Sequence, residues 1–141
     1  MRLGNFAVAA ALLAGVAGSA QSQAKPTTHG EWVRFKSGAD SIRAYVAYPE
    51  RSSKAPGIIV IHEIYGLTDW EPTVADRLAK EGYVAIVPDL LSSKHGRTPK
   101  DEVEARQLMG ELEDKRVTVD LDATYRYLNN LLAVDKGKIG T

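Results

Sequence analysis

Apolar and polar residues alternate along two short stretches between residues 31 and 48. Residues 31–36 place Val33 and Phe35 on one face, and residues 42–48 repeat the same two-residue period. The turn-forming segment Ser37-Gly38-Ala39-Asp40 lies between the two stretches. Two alternating runs joined by a glycine-containing turn predict a β-hairpin.

Two later apolar runs are continuous rather than alternating. Residues 57–61 (GIIVI) and 83–87 (YVAIV) predict strands that are buried on both faces. Residues 68–82 lie between them and predict a helix, because Thr68 or Asp69 can cap its start and Gly82 its end. A strand, a helix and a strand within about thirty residues form a βαβ unit with parallel strands.

The remaining chain predicts a loop, two helices and the start of another strand. Residues 90–100 are rich in Ser, Gly and Pro, whereas residues 101–132 repeat apolar positions every three or four residues. A break over residues 110–115 divides this region into two helices. Residues 138–141 would begin a third parallel strand. The fold class is therefore α/β, with a hairpin followed by a βαβ unit and helices on both faces of the sheet.

Composition and the N-terminus set limits on cellular location and partners. The chain has 141 residues, no cysteine, and 18 basic and 18 acidic residues, so no basic surface indicates nucleic-acid binding. Residues 1–24 combine Arg2, an apolar stretch and small residues, the pattern of a secretory signal peptide. We expect a mature domain of residues 25–141 in the periplasm or outside the cell, with no membrane partner after cleavage.

Candidate chemistry begins where the first buried strand ends. Glu63 follows that strand directly, and a carboxylate in this position is partly desolvated and able to accept a proton. Neighbouring residues on a strand point to opposite faces, so His62 and Glu63 cannot chelate one metal ion. We expect no metal site, a packed or hydrogen-bonded His62, and a surface His95.

Several other polar residues have simpler interpretations. Ser92 and Ser93 lack the strand, turn and helix of a nucleophile elbow, so they are predicted to be ordinary loop residues. Asp89 follows a strand and is predicted to cap the next turn. Acidic residues of the long helical region are predicted to form its solvated face: Glu104, Glu111, Glu113 and Asp114.

Two segments carry a specific resemblance to a known family. Residues 60–67 (VIHEIYGL) and 82–90 (GYVAIVPDL), in this order of elements, resemble the N-terminal half of the dienelactone hydrolase family, which has the α/β-hydrolase fold. The resemblance covers residues 31–141. It implies a chain truncated at the strand before the nucleophile elbow, with the Cys or Ser nucleophile, the Asp and the His of the triad all beyond Thr141. It implies no cofactor.

The resemblance also implies roles for residues that are present. Glu63 would lie beside the nucleophile and help to generate its thiolate, and the backbone amide of Ile64 would be an oxyanion-hole donor. Tyr65 would line the substrate pocket. Arg97 and Arg106 are candidates for binding a substrate carboxylate, as arginines do in that family.

These inferences favour a hydrolase of carboxylic esters or lactones as the full-length protein, with the fragment inactive alone. A serine esterase or peptidase of the same fold is one alternative, and a small extracytoplasmic binding module that uses the 63–70 loop is another. Truncation beside Ile139 would leave a flat apolar edge along the strand at Ile58, so we expect the fragment to self-associate.

Overall fold

The computed structural model describes residues 27–141, and the predicted signal peptide (residues 1–24) lies outside the described residues. The strands are Thr28–Ser37 (β1), Asp40–Pro49 (β2), Ala55–Ile59 (β3), Val84–Pro88 (β4) and Val134–Gly140 (β5). The helices are Trp70–Lys80 (α1), Ser92–His95 (α2), Glu102–Gly110 (α3) and Asp114–Asn130 (α4). None of the helices in this described part of the chain has the length and apolar character needed to cross a bilayer.

The strands form one mixed sheet in the order β1-β2-β4-β3-β5. Antiparallel pairing joins β1 to β2 and β2 to β4, whereas β3 runs parallel to both β4 and β5. The predicted hairpin and the predicted parallel βαβ unit (β3-α1-β4) are therefore confirmed. The break between α3 and α4 also falls within the predicted residues 110–115.

Helices cover both faces of the sheet, as the sequence predicts. On one face Leu128 of α4 packs with Val46 and Ile86 in a cluster of fully buried side chains. On the other face the small residues Ala75 and Ala79 bring α1 close to the sheet. Because β4 carries side chains into both clusters, its residues are all buried and its continuous apolar run follows from its central position.

Two strand boundaries differ from those predicted. β3 ends at Ile59 instead of residue 61, since its last ladder bond runs from Val60 N to Ile86 O (2.8 Å) and the chain then leaves the sheet. β5 begins at Val134 instead of residue 138. An irregularity in the register of β5 against β3, with Gly137 at a φ of 85°, lets this polar segment stay paired.

The segment between β4 and α3 contains a short helix, so the loop predicted for residues 90–100 is wrong over α2. Ser92 and Ser93 are buried rather than ordinary loop residues. Ser92 Oγ donates to the Asp89 carbonyl (2.7 Å) and accepts from Arg43 N (3.1 Å). Both serines thus fasten α2 to its surroundings, a role that needs residues distant in sequence.

A buried carboxylate joins α4 to the hairpin and to α2. Asp120 is fully buried and accepts hydrogen bonds from Ser37 Oγ, Ser93 Oγ (2.7 Å) and the Arg116 guanidinium (2.7 and 3.1 Å). Arg116 also donates to Asp40 (2.7 Å), and these contacts raise the pKa of Arg116, chiefly through Asp120. The carboxylate is therefore buried with its charge compensated.

The predicted unpaired edge at Ile58 is wrong for this structure. β5 lies along β3 and pairs Ile58 with Gly140, so β3 is an interior strand. The outer strand on that side is β5 itself, and its outward residues include Asp135, Lys136 and Lys138. This edge is polar rather than apolar.

Candidate active site

The turn that follows β3 is held in place by His62, which is buried. His62 Nδ1 donates to the Glu63 carbonyl (2.8 Å), and His62 Nε2 accepts from Leu90 N (3.1 Å). Because a carbonyl only accepts and an amide N–H only donates, these partners define a neutral imidazole protonated on Nδ1. Gly66 closes the turn by donating from its amide to the same carbonyl (3.1 Å) at a φ of 77°. The prediction of a hydrogen-bonded His62 is confirmed.

This arrangement carries Glu63 and Ile64 to the surface. The chain has already left the sheet after Val60, so the Glu63 side chain is exposed. The predicted partial desolvation of this carboxylate is therefore wrong within residues 27–141. The amide of Ile64 donates to no acceptor among those residues, which leaves its N–H available to a ligand. Its side chain is half exposed and contributes little packing.

A cleft of about 570 Å³ opens beside this turn. It lies beyond the carboxyl ends of the parallel strands β3 and β4, where ligands bind in α/β folds. A smaller cavity of about 130 Å³ borders Arg116 and shares none of its lining with the cleft. The cleft is therefore the candidate substrate site. It is lined by Glu63, Tyr65, Leu67, Thr68, Asp69, Thr98, Pro99, Lys100, Asp101 and Glu102.

Thr98, which lines the cleft, is held in place by Asp89, which is fully buried at the end of β4. Asp89 Oδ2 accepts from Thr98 Oγ1 (2.6 Å), which in turn accepts from Arg43 Nη1 (2.9 Å). Burial raises the pKa of Asp89, while the Thr98 hydroxyl and the amide of Leu91 oppose the rise. The turn itself is closed by the Asp89 carbonyl, which accepts from Ser92 N (2.9 Å), so capping of this turn by the Asp89 side chain stays a prediction. The contact with Thr98 was missed, since no local pattern indicates it.

Tyr65 lies in the cleft wall, and Arg106 holds it there. Arg106 Nη2 donates to the Tyr65 hydroxyl (2.8 Å), and the guanidinium carbon lies 5.0 Å from the centre of the Tyr65 ring. Arg106 also lies 3.9 Å from a Glu102 oxygen. The structure thus brings these two candidate residues into contact: Tyr65 lines the cleft, and Arg106 contacts Tyr65 without lining the cleft itself.

Arg97 does not line the cleft. Its guanidinium contacts both oxygens of Glu104, one of them at 3.0 Å, and Glu104 also accepts from Lys100 N (2.7 Å). The Arg97 hydrogen bond is the main reason that the pKa of Glu104 falls to about 2. Glu104 is therefore an ion-pair partner, not part of a solvated face, although the other members of that predicted face are exposed: Glu111, Glu113 and Asp114.

Metal ligation has no visible support in the part of the chain that the structure describes. No three His, Asp or Glu side chains between residues 27 and 141 are grouped as a metal ion would require. His95 is exposed, as predicted, and both nitrogens of His62 already have partners.

The strand order and the cleft at the carboxyl ends of β3 and β4 define the N-terminal half of an α/β-hydrolase fold. The same fold occurs in a crystal structure titled "Putative Dienelactone Hydrolase" from Klebsiella pneumoniae, with a TM-score of 0.68 and 24% identity over 81% of this chain and 50% of that one. The model of the dienelactone hydrolase family matches residues 42–141. The chain belongs to the dienelactone hydrolase family.

Two curated relatives have informative names. A Bradyrhizobium protein named "Probable 2-oxo-3-(5-oxofuran-2-ylidene)propanoate lactonase" is 31% identical over 110 residues, 78% of this chain and 44% of that one. A Synechocystis protein named "Putative carboxymethylenebutenolidase" is 34% identical over 104 residues, 70% of this chain and 42% of that one. The chain spans less than half the length of these two relatives.

Proposed function

We propose that the full-length protein hydrolyses a carboxylic ester or lactone through a Cys or Ser nucleophile located beyond Thr141. Family membership and the lactonase and carboxymethylenebutenolidase names of two relatives support this reaction class. The observation that carries the proposal is the turn anchored by His62, which presents the Glu63 carboxylate at the cleft and leaves the amide of Ile64, the next residue, without an acceptor. A carboxylate and a backbone donor side by side suit acyl transfer.

In the proposed reaction Glu63 takes the proton of the nucleophile. The resulting thiolate or alkoxide attacks the substrate carbonyl carbon, and the N–H of Ile64 donates to the oxyanion that forms. Collapse of this intermediate breaks the ester C–O bond, the proton held by Glu63 passes to the leaving oxygen, and an acyl-enzyme remains. Water activated by a histidine, also expected beyond Thr141, releases the carboxylic acid. No step uses a cofactor.

Hydrolysis of p-nitrophenyl butyrate by the full-length protein tests this assignment. Loss of a positioned proton acceptor costs about 100-fold or more in kcat, so Glu63→Gln should lose that much. Ile64→Ala keeps the backbone N–H and should retain activity within about threefold. Glu113→Gln is a matched control, because Glu113 is exposed, lies outside the cleft and makes no capping hydrogen bond.

Two results would contradict the proposal: no turnover by the full-length protein, or full activity of the Glu63→Gln variant. Residues 25–141 alone are proposed to be inactive, so purified fragment with Glu63-dependent turnover would refute that part. Iodoacetamide and phenylmethylsulfonyl fluoride distinguish the nucleophiles. Since residues 1–141 contain no cysteine, inactivation by iodoacetamide would assign a Cys outside them.

The cellular location and the self-association of the fragment are further proposals. We propose that residues 1–24 direct export, so N-terminal sequencing of the mature protein should begin near residue 25. We also propose that residues 25–141 associate through β5, the outer strand on its side of the described sheet. The charges on β5 predict weak association, which sedimentation at rising concentration would detect and a constant monomer mass would refute.

A further inference from the structure

Three side-chain hydroxyls line the cleft, those of Tyr65, Thr68 and Thr98. Each has one hydrogen that it can donate. The Thr68 hydroxyl accepts from Trp70 N (3.2 Å) and gives its own hydrogen to a carboxylate oxygen of Glu71 (2.6 Å), which is buried. The hydrogen of Thr68 is therefore already used within the protein.

The hydroxyl hydrogen of Thr98 is used in the same way. A guanidinium can only donate, so Arg43 Nη1 donates to Thr98 Oγ1 (2.9 Å). Thr98 in turn donates to Asp89 Oδ2 (2.6 Å), whose side chain is fully buried. Neither threonine thus has a hydrogen left for a substrate oxygen.

Tyr65 differs from the two threonines because its neighbour is a donor rather than an acceptor. Arg106 Nη2 lies 2.8 Å from the Tyr65 oxygen and can only donate to it, so the O–H hydrogen of Tyr65 stays free. Donation from a charged guanidinium also polarises the phenol oxygen and strengthens its O–H as a donor. Among residues 27–141, Tyr65 therefore presents the uncommitted hydroxyl hydrogen of the cleft lining.

We propose that Tyr65 donates this hydrogen to a second carbonyl-type oxygen of the substrate, one outside the scissile ester, and that Arg106 is the positioning residue for Tyr65. The inference rests on the proposed hydrolase function and names a feature of its substrate. Tyr65 and Glu63 line the same cleft, so one small molecule can meet both. Arg106 contacts the ring, at 5.0 Å from its centre, as well as the hydroxyl, and so restricts how Tyr65 turns.

Two esters of equal chain length test the proposal with the full-length protein. p-Nitrophenyl 4-oxopentanoate carries a second carbonyl oxygen, and p-nitrophenyl pentanoate does not. The ratio of kcat/KM for the first ester to that for the second is compared between variants, after uncatalysed hydrolysis is subtracted. The intrinsic reactivities of the esters and the folded fraction of each sample then cancel, so a purely structural role would not change the ratio.

Tyr65→Phe keeps the ring and should lower this ratio by about three- to tenfold, the effect of one hydrogen bond. Arg106→Met should lower it by about twofold, because the hydroxyl loses its polarising partner. The same change made together with Tyr65→Phe should have no further effect, since Arg106 acts through the hydroxyl.

Tyr125→Phe and Arg126→Met are matched controls. They remove the same groups from exposed positions on α4, outside the cleft, and should leave the ratio unchanged.

Turnover of both esters with the same ratio in Tyr65→Phe as in the unmodified protein would overturn this inference and leave the proposed hydrolase function intact. A ratio that Arg106→Met does not change, or lowers further in the presence of Tyr65→Phe, would overturn the positioning role of Arg106. Absence of turnover with either ester would overturn the proposed hydrolase function and this inference with it.

Discussion

Replacement of His62 by alanine tests whether one imidazole holds the candidate site. The change removes the acceptor for Leu90 N and the donor to the Glu63 carbonyl. Leu90 is 4% exposed, so its amide would have little access to water. An unsatisfied buried amide costs about 1–3 kcal/mol and the second hydrogen bond about 0.5–1.5 kcal/mol, which gives about 2–4 kcal/mol in all. The free energy of unfolding of a whole domain is typically about 5–15 kcal/mol, so this loss would be a large part of it.

Urea denaturation of the full-length protein, followed by circular dichroism, measures this loss. His62→Gln places an amide oxygen near the position of Nε2, so it should retain the bond from Leu90 and lose about half as much stability. His95→Ala is the matched control, because His95 is exposed and should change stability by less than about 0.5 kcal/mol. Ester hydrolysis should fall less in His62→Gln than in His62→Ala, since the Gln variant keeps one of the two hydrogen bonds that hold the turn at Glu63.

A loss below about 0.5 kcal/mol for His62→Ala, with unchanged hydrolysis, would refute this reasoning. It would mean that the bond from Gly66 N suffices to hold the turn. Equal losses for the Gln and Ala variants would show instead that the Leu90 contact contributes nothing.

Two further predictions concern the rest of the fold. Asp120→Ala leaves the Arg116 guanidinium without its main partner and should cost about 3–5 kcal/mol in urea denaturation, whereas Asp122→Ala, at an exposed position on the same helix, should cost less than about 0.5 kcal/mol. Equal losses in the two variants would contradict the first. Burial and the hydrogen bond to Asp76 raise the pKa of Tyr45 from its usual 10.0 to about 12, so the folded protein holds this proton more tightly than the unfolded chain. The contribution of this proton to stability is complete below pH 10 and is lost as pH rises through 12. The free energy of unfolding should therefore fall across this window, and Tyr45→Phe should make that fall less steep. An unchanged slope in the variant would refute this prediction.

Local sequence was sufficient for most of the architecture. The hairpin, the βαβ unit and the break before α4 each appear in the sequence as a regular pattern of apolar residues or as an interruption of one. This is because the residues of an element that face the core recur at the period of that element. The family resemblance also depends on contiguous segments, residues 60–67 and 82–90, and it located the turn at Glu63 and Ile64. Where a strand stops depends instead on its partner, so the ends of β3 and β5 were predicted incorrectly.

The sequence by itself therefore determined the class of fold, the family and the turn that carries the candidate chemistry. Only the tertiary structure decided what surrounds that turn. His62 is fastened to Leu90, Thr98 to Asp89, and Arg97 to Glu104. The contact between His62 and Leu90 joins the turn after β3 to the segment after β4, because the sheet brings the ends of these two strands together. The other two contacts fold the segment from the end of β4 to the start of α3 back on itself, and no local pattern of residues indicates them.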